Sequence, residues 1–289
     1  MKISVSSYSF SQYIWSGRIT QLDTVKLAAE LGFEGIEFTD LTGNTLDEQK
    51  EYAARIRAEA EKYGIEIVAY CIGANLYHES ANDSERELER LRGQVDVAEI
   101  LGARVMRHDV CYSERVGDKL VSFGKMLPTI AENARRLTEY AQSKGVRTAT
   151  ENHGFVAQDS DRVEALYNAV NHSNYGLLVD IGNFACADEE SVKAVSRLAP
   201  YAIHVHAKDF HIRRFGEEPF RKDCYFESRG GNYLTGSAVG EGDVNAAQCM
   251  HIIQKSGYDG FVTVEYEGYE DCIEGIKKGF ENLKRYIGK

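Results

Sequence analysis

The sequence predicts an α/β fold, a (β/α)₈ TIM barrel in which parallel strands alternate with helices. Short β-compatible runs alternate with longer helical segments along all 289 residues, which is the order of elements in a parallel sheet. Most helical segments end in a glycine, the residue preferred after a helix C-terminus. Eight such units favour a closed barrel over an open sheet, and barrels of this length commonly form one domain. We therefore expect a single domain over residues 1–289.

The predicted strands are runs rich in β-branched and apolar residues, as expected for strands buried on both faces. They cover residues 3–7, 35–38, 65–71, 103–108, 146–151, 176–180, 203–206 and 260–265. The predicted helices cover residues 19–31, 46–63, 84–101, 119–144, 158–171, 189–198, 244–256 and 271–286. Ser84 with Glu87 predicts a capping box at the third helix, and Pro128 favours a break in the fourth.

Composition and charge exclude several classes of function. A net charge of -11 argues against nucleic acids and anionic membranes as partners, because both attract basic surfaces. The N-terminal residues lack the apolar core of a signal peptide, and no apolar run approaches the roughly 20 residues of a membrane span. The 6 cysteines are scattered, which predicts reduced thiols and no zinc–thiolate site. We therefore expect a soluble cytoplasmic protein.

The segment 208–243 interrupts the regular alternation of strands and helices. It has no clean period, and a loop of this length in a compact domain is usually functional or disordered. Basic and aromatic residues are interleaved in it: Arg213, Arg214, Phe215, Phe220, Arg221, Lys222, Tyr225, Phe226, Arg229 and Tyr233. We predict a lid that excludes water and binds the far end of a substrate, with Arg213 as one contact. A surface excursion or an oligomer contact is the alternative.

Four successive predicted strands end in a residue that can bind a metal ion: Glu151, Asp180, His206 and Glu265. A charged residue at the end of a buried run is costly without a partner, and active sites of such barrels lie at the carboxyl ends of the strands. Three carboxylates and one imidazole suit Mn²⁺, Mg²⁺ or Co²⁺, although the nitrogen also admits Zn²⁺ or Fe²⁺. An isolated strand-end acid is more often a surface or capping residue, but structural ion pairing does not explain three acids beside one histidine.

A metal site of this kind predicts proton abstraction next to a carbonyl. Four protein ligands leave room for two substrate oxygens, and a metal holding a carbonyl and its neighbouring hydroxyl acidifies the carbon between them and stabilises the enediolate. A base then starts isomerisation, epimerisation or β-elimination, which share this first step. His153 lies on the same side of an extended chain as Glu151, so it is either that base or a hydrogen-bond partner of a ligand. Glu151 and Glu265 are the alternative bases.

Further polar residues are predicted to surround the pocket. Glu37 and His108 end the second and fourth strands and are expected to line it, with a salt bridge as the alternative for Glu37. Lys208 is expected to bind a substrate oxygen or Glu265, and Asn183 to contribute a polar group. The alternatives for these two residues are an ordinary loop cation and a turn former.

The chain resembles the sugar phosphate isomerase/epimerase family, which has a xylose isomerase-like TIM barrel. The resemblance covers essentially the whole chain and rests on the segments SSYSF (6–10), ENHG (151–154), VDIGN (179–183), HVHAKD (204–209), VGEGDV (239–244) and VEYEG (264–268). It implies one metal held by Glu151, Asp180, His206 and Glu265. Mn²⁺ is the expected metal, with Mg²⁺ or Co²⁺ as alternatives.

Two departures from the family pattern bear on the reaction. Ketose 3-epimerases resemble this metal set but carry a glutamate six residues after the first ligand and a histidine shortly after the metal aspartate, where this chain has Ala157 and the residues 181–183. The 8 histidines do not supply the trinuclear zinc site of endonuclease IV enzymes. The ENH triplet also resembles catalytic subunits of bacterial C-glycoside deglycosidases, in which a metal and a histidine matching His153 cleave 3-oxo-glucosides by β-elimination beside a small partner subunit.

The expected function is a metal-dependent sugar isomerase or epimerase. A lyase acting on 3-oxo-glycosides is the alternative, and a non-enzymatic sugar-binding barrel is a third class. The expected partner is a small sugar or oxo-sugar, which the acidic charge and the missing phosphate loop favour in unphosphorylated form. A homo-oligomer or a small partner subunit remains open.

Overall fold

The computed structural model describes residues 1–219 and 221–289, and Phe220 of the predicted lid lies outside the described residues. Its central feature is a closed barrel of parallel strands, in which consecutive strands pair and the last closes on the first. The predicted fold class is confirmed. The barrel strands are β1 (Lys2–Ser6), β2 (Gly35–Thr39), β3 (Glu66–Ile72), β4 (Val105–His108), β5 (Arg147–Glu151), β6 (Tyr175–Asp180), β7 (Ala202–Ala207) and β8 (Phe261–Val264).

The barrel helices follow the strands in alternation and surround them. They are α1 (Asp23–Glu30), α2 (Leu46–Tyr63), α3 (Ala81–Leu101), α4 (Phe123–Ser143), α5 (Ser160–Val170), α6 (Ser191–Leu198), α7 (Ala246–Lys255) and α8 (Cys272–Ile287). Short helical segments lie in the connections at Ser7–Phe10, Ser11–Trp15, Asn183–Ala187, Ala199–Tyr201 and Lys222–Cys224. Among the described residues, no helix has the length and apolar character that crossing a membrane requires.

Apolar packing explains why the strand ends face the barrel interior. The main core lies between the strands and the helices, and a smaller cluster including Val105, Ala149 and Leu178 fills the inside of the barrel. Side chains along a strand alternate between its two faces. Since Ala149 and Leu178 each precede a predicted metal ligand by two positions, Glu151 and Asp180 also point into the barrel.

The predicted start of the third helix is wrong. α3 begins at Ala81, and the Ser80 hydroxyl oxygen caps its first turn by accepting a hydrogen bond from a backbone N–H. Ser84 and Glu87 therefore lie inside the helix and form no capping box. The carboxylate of Glu87 instead accepts a hydrogen bond from the backbone N–H of Asn75 at 2.9 Å, which ties the preceding loop to the helix.

The predicted fourth helix also starts too early. Lys119–Leu120 pairs with Arg115–Val116 in a two-stranded antiparallel ribbon, and α4 begins only at Phe123. Pro128 lies inside α4 and does not end it. A proline near the beginning of a long helix removes one backbone donor, and here the packing of the apolar face maintains the helix on both sides of it.

The segment predicted as an irregular lid contains a three-stranded antiparallel sheet, which we call the lid sheet. Its strands are Asp209–Arg213, Phe226–Glu227 and Tyr233–Ser237, with the last in the centre. Only Phe210 and Leu234 from these strands are buried in a small apolar cluster with residues of the β6–α6 connection. The sequence shows no clear period because the strands are short and each buries few apolar side chains.

Hydrogen bonds from polar side chains attach the lid sheet to the barrel. The carboxylate of Asp188, which follows β6, accepts hydrogen bonds from Ser228 Oγ at 2.6 Å, the Gly230 N–H at 2.5 Å and Asn232 Nδ2 at 2.7 Å. Between these residues, the backbone N–H of Arg229 donates to a carbonyl of the same β6–α6 connection at 2.8 Å. The turn before the central strand of the lid sheet is therefore fixed at several points.

Removing the Asp188 carboxylate should release this turn without unfolding the barrel. Asp188 has a φ of 58°, so Asp188→Gly deletes the carboxylate without straining the backbone. We expect faster cleavage of the segment 213–232 in limited proteolysis, while the free energy of unfolding of the barrel falls by no more than about 3 kcal/mol. Asp223→Gly, an exposed position in the same segment, is the control. Equal cleavage rates in both variants would show that Asp188 does not hold the lid sheet.

Candidate metal centre

The predicted metal ligands converge at the carboxyl ends of β5 to β8. Ligand atoms from Glu151, Asp180, His206 and Glu265 all lie within 4.8 Å of one another, and all four residues are buried. His206 Nδ1 lies 3.5 Å from Glu151 Oε1, 3.8 Å from Asp180 Oδ2 and 3.4 Å from Glu265 Oε2. The register produces this arrangement, because Asp180 pairs with His206 across β6 and β7, and Glu265 follows β8 beside the end of β7.

The polar atoms of this cluster fit a divalent cation. Within the described part of the chain, His206 Nδ1 and Asp180 Oδ2 are buried and have no hydrogen-bond partner. A buried polar atom without a partner is destabilising, and two such atoms on converging side chains are explained by a cation that both of them contact. A donor set of three carboxylates and one imidazole suits the harder divalent ions.

Glu37 fixes the orientation of His206 by contacting Nε2, the ring nitrogen that does not face the other three predicted ligands. Its Oε2 lies 2.7 Å from His206 Nε2 and 3.0 Å from His204 Nε2. Because a carboxylate accepts hydrogen bonds, we assign the proton of His206 to Nε2, which presents Nδ1 to the cation. His204 is held in turn by Thr263 at 2.9 Å, and Thr263 by Ser4 at 2.8 Å. Glu37 is fully buried and does not line the cavity, so the expected substrate contact is replaced by an ion pair.

The electrostatics of the cluster also favour a cation. Burial and the neighbouring carboxylates raise the pKa of Asp180 to about 7. Burial lowers the pKa of His206, but the surrounding carboxylates, Glu37 foremost, outweigh burial and hold this pKa well above its usual range. The cluster therefore retains protons that a divalent cation would displace, because metal ligands must be deprotonated.

Arg107 and Asn183 hold both oxygens of the Glu151 carboxylate. Arg107 Nη2 lies 2.6 Å from Glu151 Oε2, and Asn183 Nδ2 donates to Glu151 Oε1 at 2.9 Å. Burial would raise the pKa of Glu151, but Arg107 and the nearby imidazole outweigh it and hold the pKa well below its usual range. Asn183 thus contacts Glu151 through its side chain, and its backbone N–H also donates to Asp180 Oδ1 at 2.9 Å. Its contact with a substrate stays a prediction.

Sequence reasoning did not identify Arg107 and misplaced His108. Val105 packs inside the barrel, so alternation along β4 turns Arg107 inward and His108 outward. The His108 ring is buried beside Tyr175, with 6.5 Å between ring centroids, and does not line the cavity. The only signal for Arg107 in the sequence is a cation inside a predicted buried strand.

Lys208 neutralises the carboxylates on the other side of the cluster. Its Nζ lies 2.7 Å from Glu265 Oε2, 3.7 Å from Asp180 Oδ2 and 3.5 Å from Glu267 Oε1. Burial lowers the pKa of Lys208, but these carboxylates outweigh it and keep the ammonium charged. The predicted contact between Lys208 and Glu265 is therefore present.

His153 is positioned by Asp109, a residue that the sequence did not indicate. His153 Nδ1 lies 2.8 Å from Asp109 Oδ1, and Asp109 also pairs with Arg107 Nη2 at 2.9 Å. The His153 side chain is 44% exposed and lines the cavity. Since Nδ1 is occupied by Asp109, Nε2 is the nitrogen that can reach a substrate.

A cavity of about 310 Å³ opens above the cluster, a volume suited to a small polar ligand. Its polar lining includes Tyr8, Thr39 and Asp40 besides the residues described above. Burial and the neighbouring Glu267 raise the pKa of Tyr8 to about 12, so its hydroxyl keeps its proton. Arg213, expected to contact the substrate, is instead exposed on the lid sheet and does not line this cavity.

Comparison with known proteins gives consistent matches over the whole fold. The family model described as xylose isomerase-like TIM barrel matches residues 25–286. An inosose dehydratase of Mesomycoplasma hyopneumoniae is 22% identical over 287 residues, covering 94% of this chain and 90% of that protein. A D-psicose 3-epimerase solved in the presence of D-fructose has a TM-score of 0.74 at 15% identity and covers 100% of both chains. The IOLI protein with a bound zinc atom has a TM-score of 0.75 at 16% identity, covering 100% of this chain and 98% of that one.

Glu37 should increase the affinity for the metal through its contact with His206, without binding the metal itself. Glu37→Gln keeps the shape of the side chain but removes the charge that holds His206, so we expect the affinity for Mn²⁺ to fall about 10–100-fold. Isothermal titration calorimetry on the full-length protein measures this affinity. Glu30→Gln, at an exposed ion pair on α1, is the control and should bind as the wild type does. An affinity for Glu37→Gln within about twofold of the control would contradict the assigned role.

Metal binding should release protons. His206, with its raised pKa, and Asp180, with a pKa of about 7, hold protons in the metal-free protein that Mn²⁺ must displace. We expect about one proton or more to be released per ion near neutral pH, and the affinity to fall as the pH decreases. Calorimetry in buffers with different ionisation enthalpies measures the number of protons. A binding heat that does not depend on the buffer would contradict this prediction.

Proposed function

The chain belongs to the xylose isomerase-like TIM barrel family, and we propose that it is a divalent-metal-dependent enzyme that isomerises or epimerises a sugar by removing a proton next to the carbonyl. The observation that carries this proposal is a pair of buried atoms, His206 Nδ1 and Asp180 Oδ2, that accept or donate no hydrogen bond among the described residues and belong to a cluster that opens to a cavity beside His153. Mn²⁺ is the proposed metal, with Mg²⁺ or Co²⁺ as alternatives.

In this proposal Glu151, Asp180, His206 and Glu265 hold the cation. A divalent cation bound there supplies Lewis acidity, which makes a hydrogen next to a substrate carbonyl removable. Lys208 keeps Glu265 ionised at 2.7 Å. The charges of the ligands and of Lys208 are therefore fixed before the substrate binds. The side chains then need to rearrange little during the reaction, which lowers its free-energy barrier.

His153 is the proposed base. Both oxygens of Glu151 are engaged by Arg107 and Asn183, and Glu265 is engaged by Lys208, so these carboxylates are poor proton acceptors. His153 projects into the cavity and is oriented by Asp109, whose carboxylate would stabilise the imidazolium that forms. An imidazole can both take a proton from a substrate and return it.

The fate of the proton decides the product. If His153 returns it to the former carbonyl carbon, while the proton of the neighbouring hydroxyl passes to the former carbonyl oxygen, the result is an isomerised sugar. Epimerisation requires a second group that delivers a proton to the opposite face of the same carbon. Tyr8, which keeps its proton, and Glu267 line the same cavity and are the candidates for this role.

A lyase is the second candidate function. In β-elimination the same base removes the proton, and the substituent on the next carbon then leaves. The inosose dehydratase whose alignment covers 94% of this chain favours this candidate, since its name describes loss of water from a keto-cyclitol. A 3-oxo-glucoside would be an equivalent substrate, and a small partner subunit would then be expected to assist.

Proton NMR in D₂O tests the proposal. The Mn²⁺-loaded protein should incorporate deuterium at the carbon beside the carbonyl of one compound in a panel of ketoses, inososes and 3-oxo-glucosides. His153→Ala should slow this exchange about 10²–10⁴-fold while metal binding is retained. His211→Ala, an exposed histidine of the lid sheet, is the matched control. An unchanged rate in His153→Ala would remove its role as the base.

The same spectra separate the function classes. A new sugar isomer would support the isomerase or epimerase, whereas release of water or an aglycone would support the lyase. Full activity in a demetallated Glu151→Ala protein would contradict the metal-dependent mechanism altogether. Binding without exchange of any carbon-bound proton would support a sugar-binding protein without catalytic activity.

A further inference from the structure

A second cavity of about 470 Å³ adjoins the one above the metal cluster. The two cavities share Tyr8, His153, Lys208 and Glu267 in their walls, so they are adjacent compartments of one opening. The second cavity extends away from the cluster toward the lid sheet, which contributes Phe210, Phe226 and Gly236 to its lining. A ligand that fills both would therefore place one part at the cluster and another part under the lid sheet.

The two cavities differ in chemistry. The first is lined mainly by charged and polar side chains, including Glu151, His206 and Glu265 of the metal cluster, and these suit a polyhydroxylated group. The second has aromatic walls formed by Phe155, Phe210 and Phe226. Phe226 packs edge-on against the buried Phe210, with 5.7 Å between centroids and 78° between ring planes, yet remains 39% exposed. Aromatic rings in this arrangement offer a surface to a further aromatic or apolar group.

Phe155 is held in the second cavity by a backbone conformation that a bulky residue rarely adopts. Its φ is 65°, in the left-handed region, and its side chain remains 45% exposed. The Phe155 N–H donates to Gln158 Oε1 at 2.6 Å, and its carbonyl accepts from Arg229, which also pairs with Asp159 at 2.9 Å. Such strain persists only where the surroundings impose it, and it is found disproportionately at ligand-binding sites.

We propose that the substrate is a sugar bearing an aromatic substituent, and that this substituent binds in the second cavity against Phe155 and Phe226. The inference rests on the proposed function for placing the sugar at the metal cluster. A monosaccharide alone would leave both phenylalanine rings in water. His153 lines both cavities. A substituent in the second cavity would therefore lie close to the carbon from which His153 removes the proton.

Matched glycosides test this subsite. Phenyl β-glucoside and methyl β-glucoside differ only in the aromatic group, and calorimetry with the Mn²⁺-loaded full-length protein gives the ratio of their affinities. We expect the phenyl compound to bind about tenfold more tightly or better, because the ring buries apolar area and stacks on aromatic walls. Equal affinities, or no binding of either compound, would overturn the proposal.

Substitutions in the second cavity test whether its aromatic residues cause the preference for the phenyl compound. Phe155→Gly removes the ring and suits the left-handed backbone, so folding is not compromised, and Phe226→Ser removes the opposing ring. Both should reduce the phenyl-to-methyl ratio toward one while leaving the affinity for methyl glucoside unchanged. Phe215→Ser is the control, since Phe215 lies in the same segment, is 78% exposed and does not line the cavity. A ratio that survives in Phe155→Gly and Phe226→Ser would overturn the assignment.

This test is independent of catalysis. A protein that prefers the phenyl compound but exchanges no proton in D₂O would retain the subsite and lose the proposed function. A protein that exchanges protons but shows no preference would retain the function and lose the subsite.

Discussion

The structure depends on a buried excess of negative charge at the carboxyl ends of the strands. Glu151, Asp180 and Glu265 project into one space around His206, and Glu37 lies directly behind the imidazole. Burying several carboxylates together is unfavourable unless cations or hydrogen-bond donors compensate them. Two fixed cations, Arg107 and Lys208, each pair with one side of the cluster, and an ion at the centre would complete the compensation.

The sequence was sufficient to predict that Glu151, Asp180, His206 and Glu265 converge, because each of them ends an apolar run. A carboxylate at the end of a strand that is otherwise buried stands out, and the same pattern occurred on four consecutive strands. The neighbours of the cluster were harder to identify. β4 is buried on both faces, so its composition does not reveal which residues face inward, and the sequence indicates His108 instead of Arg107 and Asp109. The inward direction of β4 became evident only from the packing of Val105 against the other strands.

Asp209, the last residue of one segment that carries the family resemblance, contacts a second such segment away from the cavity. The carboxylate of Asp209 accepts hydrogen bonds from the backbone N–H groups of Gly240 at 2.8 Å, Gly242 at 3.1 Å and Val244 at 3.0 Å. A side chain at Gly242 would place its Cβ only 2.2 Å from Asp209 Oδ1, so glycine is required there. The motifs HVHAKD and VGEGDV therefore contact each other through Asp209, and VGEGDV forms the turn that joins the lid sheet to α7. Sequence order alone could not show that they are in contact.

All four proposed ligands lie on or directly after consecutive strands, β5 to β8, and none comes from the first half of the chain. An ion bound there would connect the carboxyl ends of four neighbouring strands and stabilise the second half of the barrel. The first half reaches the cluster through Glu37, which acts through His206, and through Arg107, which pairs with Glu151. Because an ion that binds only the folded chain stabilises it by mass action, roughly 2.7 kcal/mol at a hundredfold excess over the dissociation constant, the proposed cofactor would also strengthen the fold. Thermal stability would then vary with metal supply, and depletion of the metal would loosen the C-terminal half-barrel first.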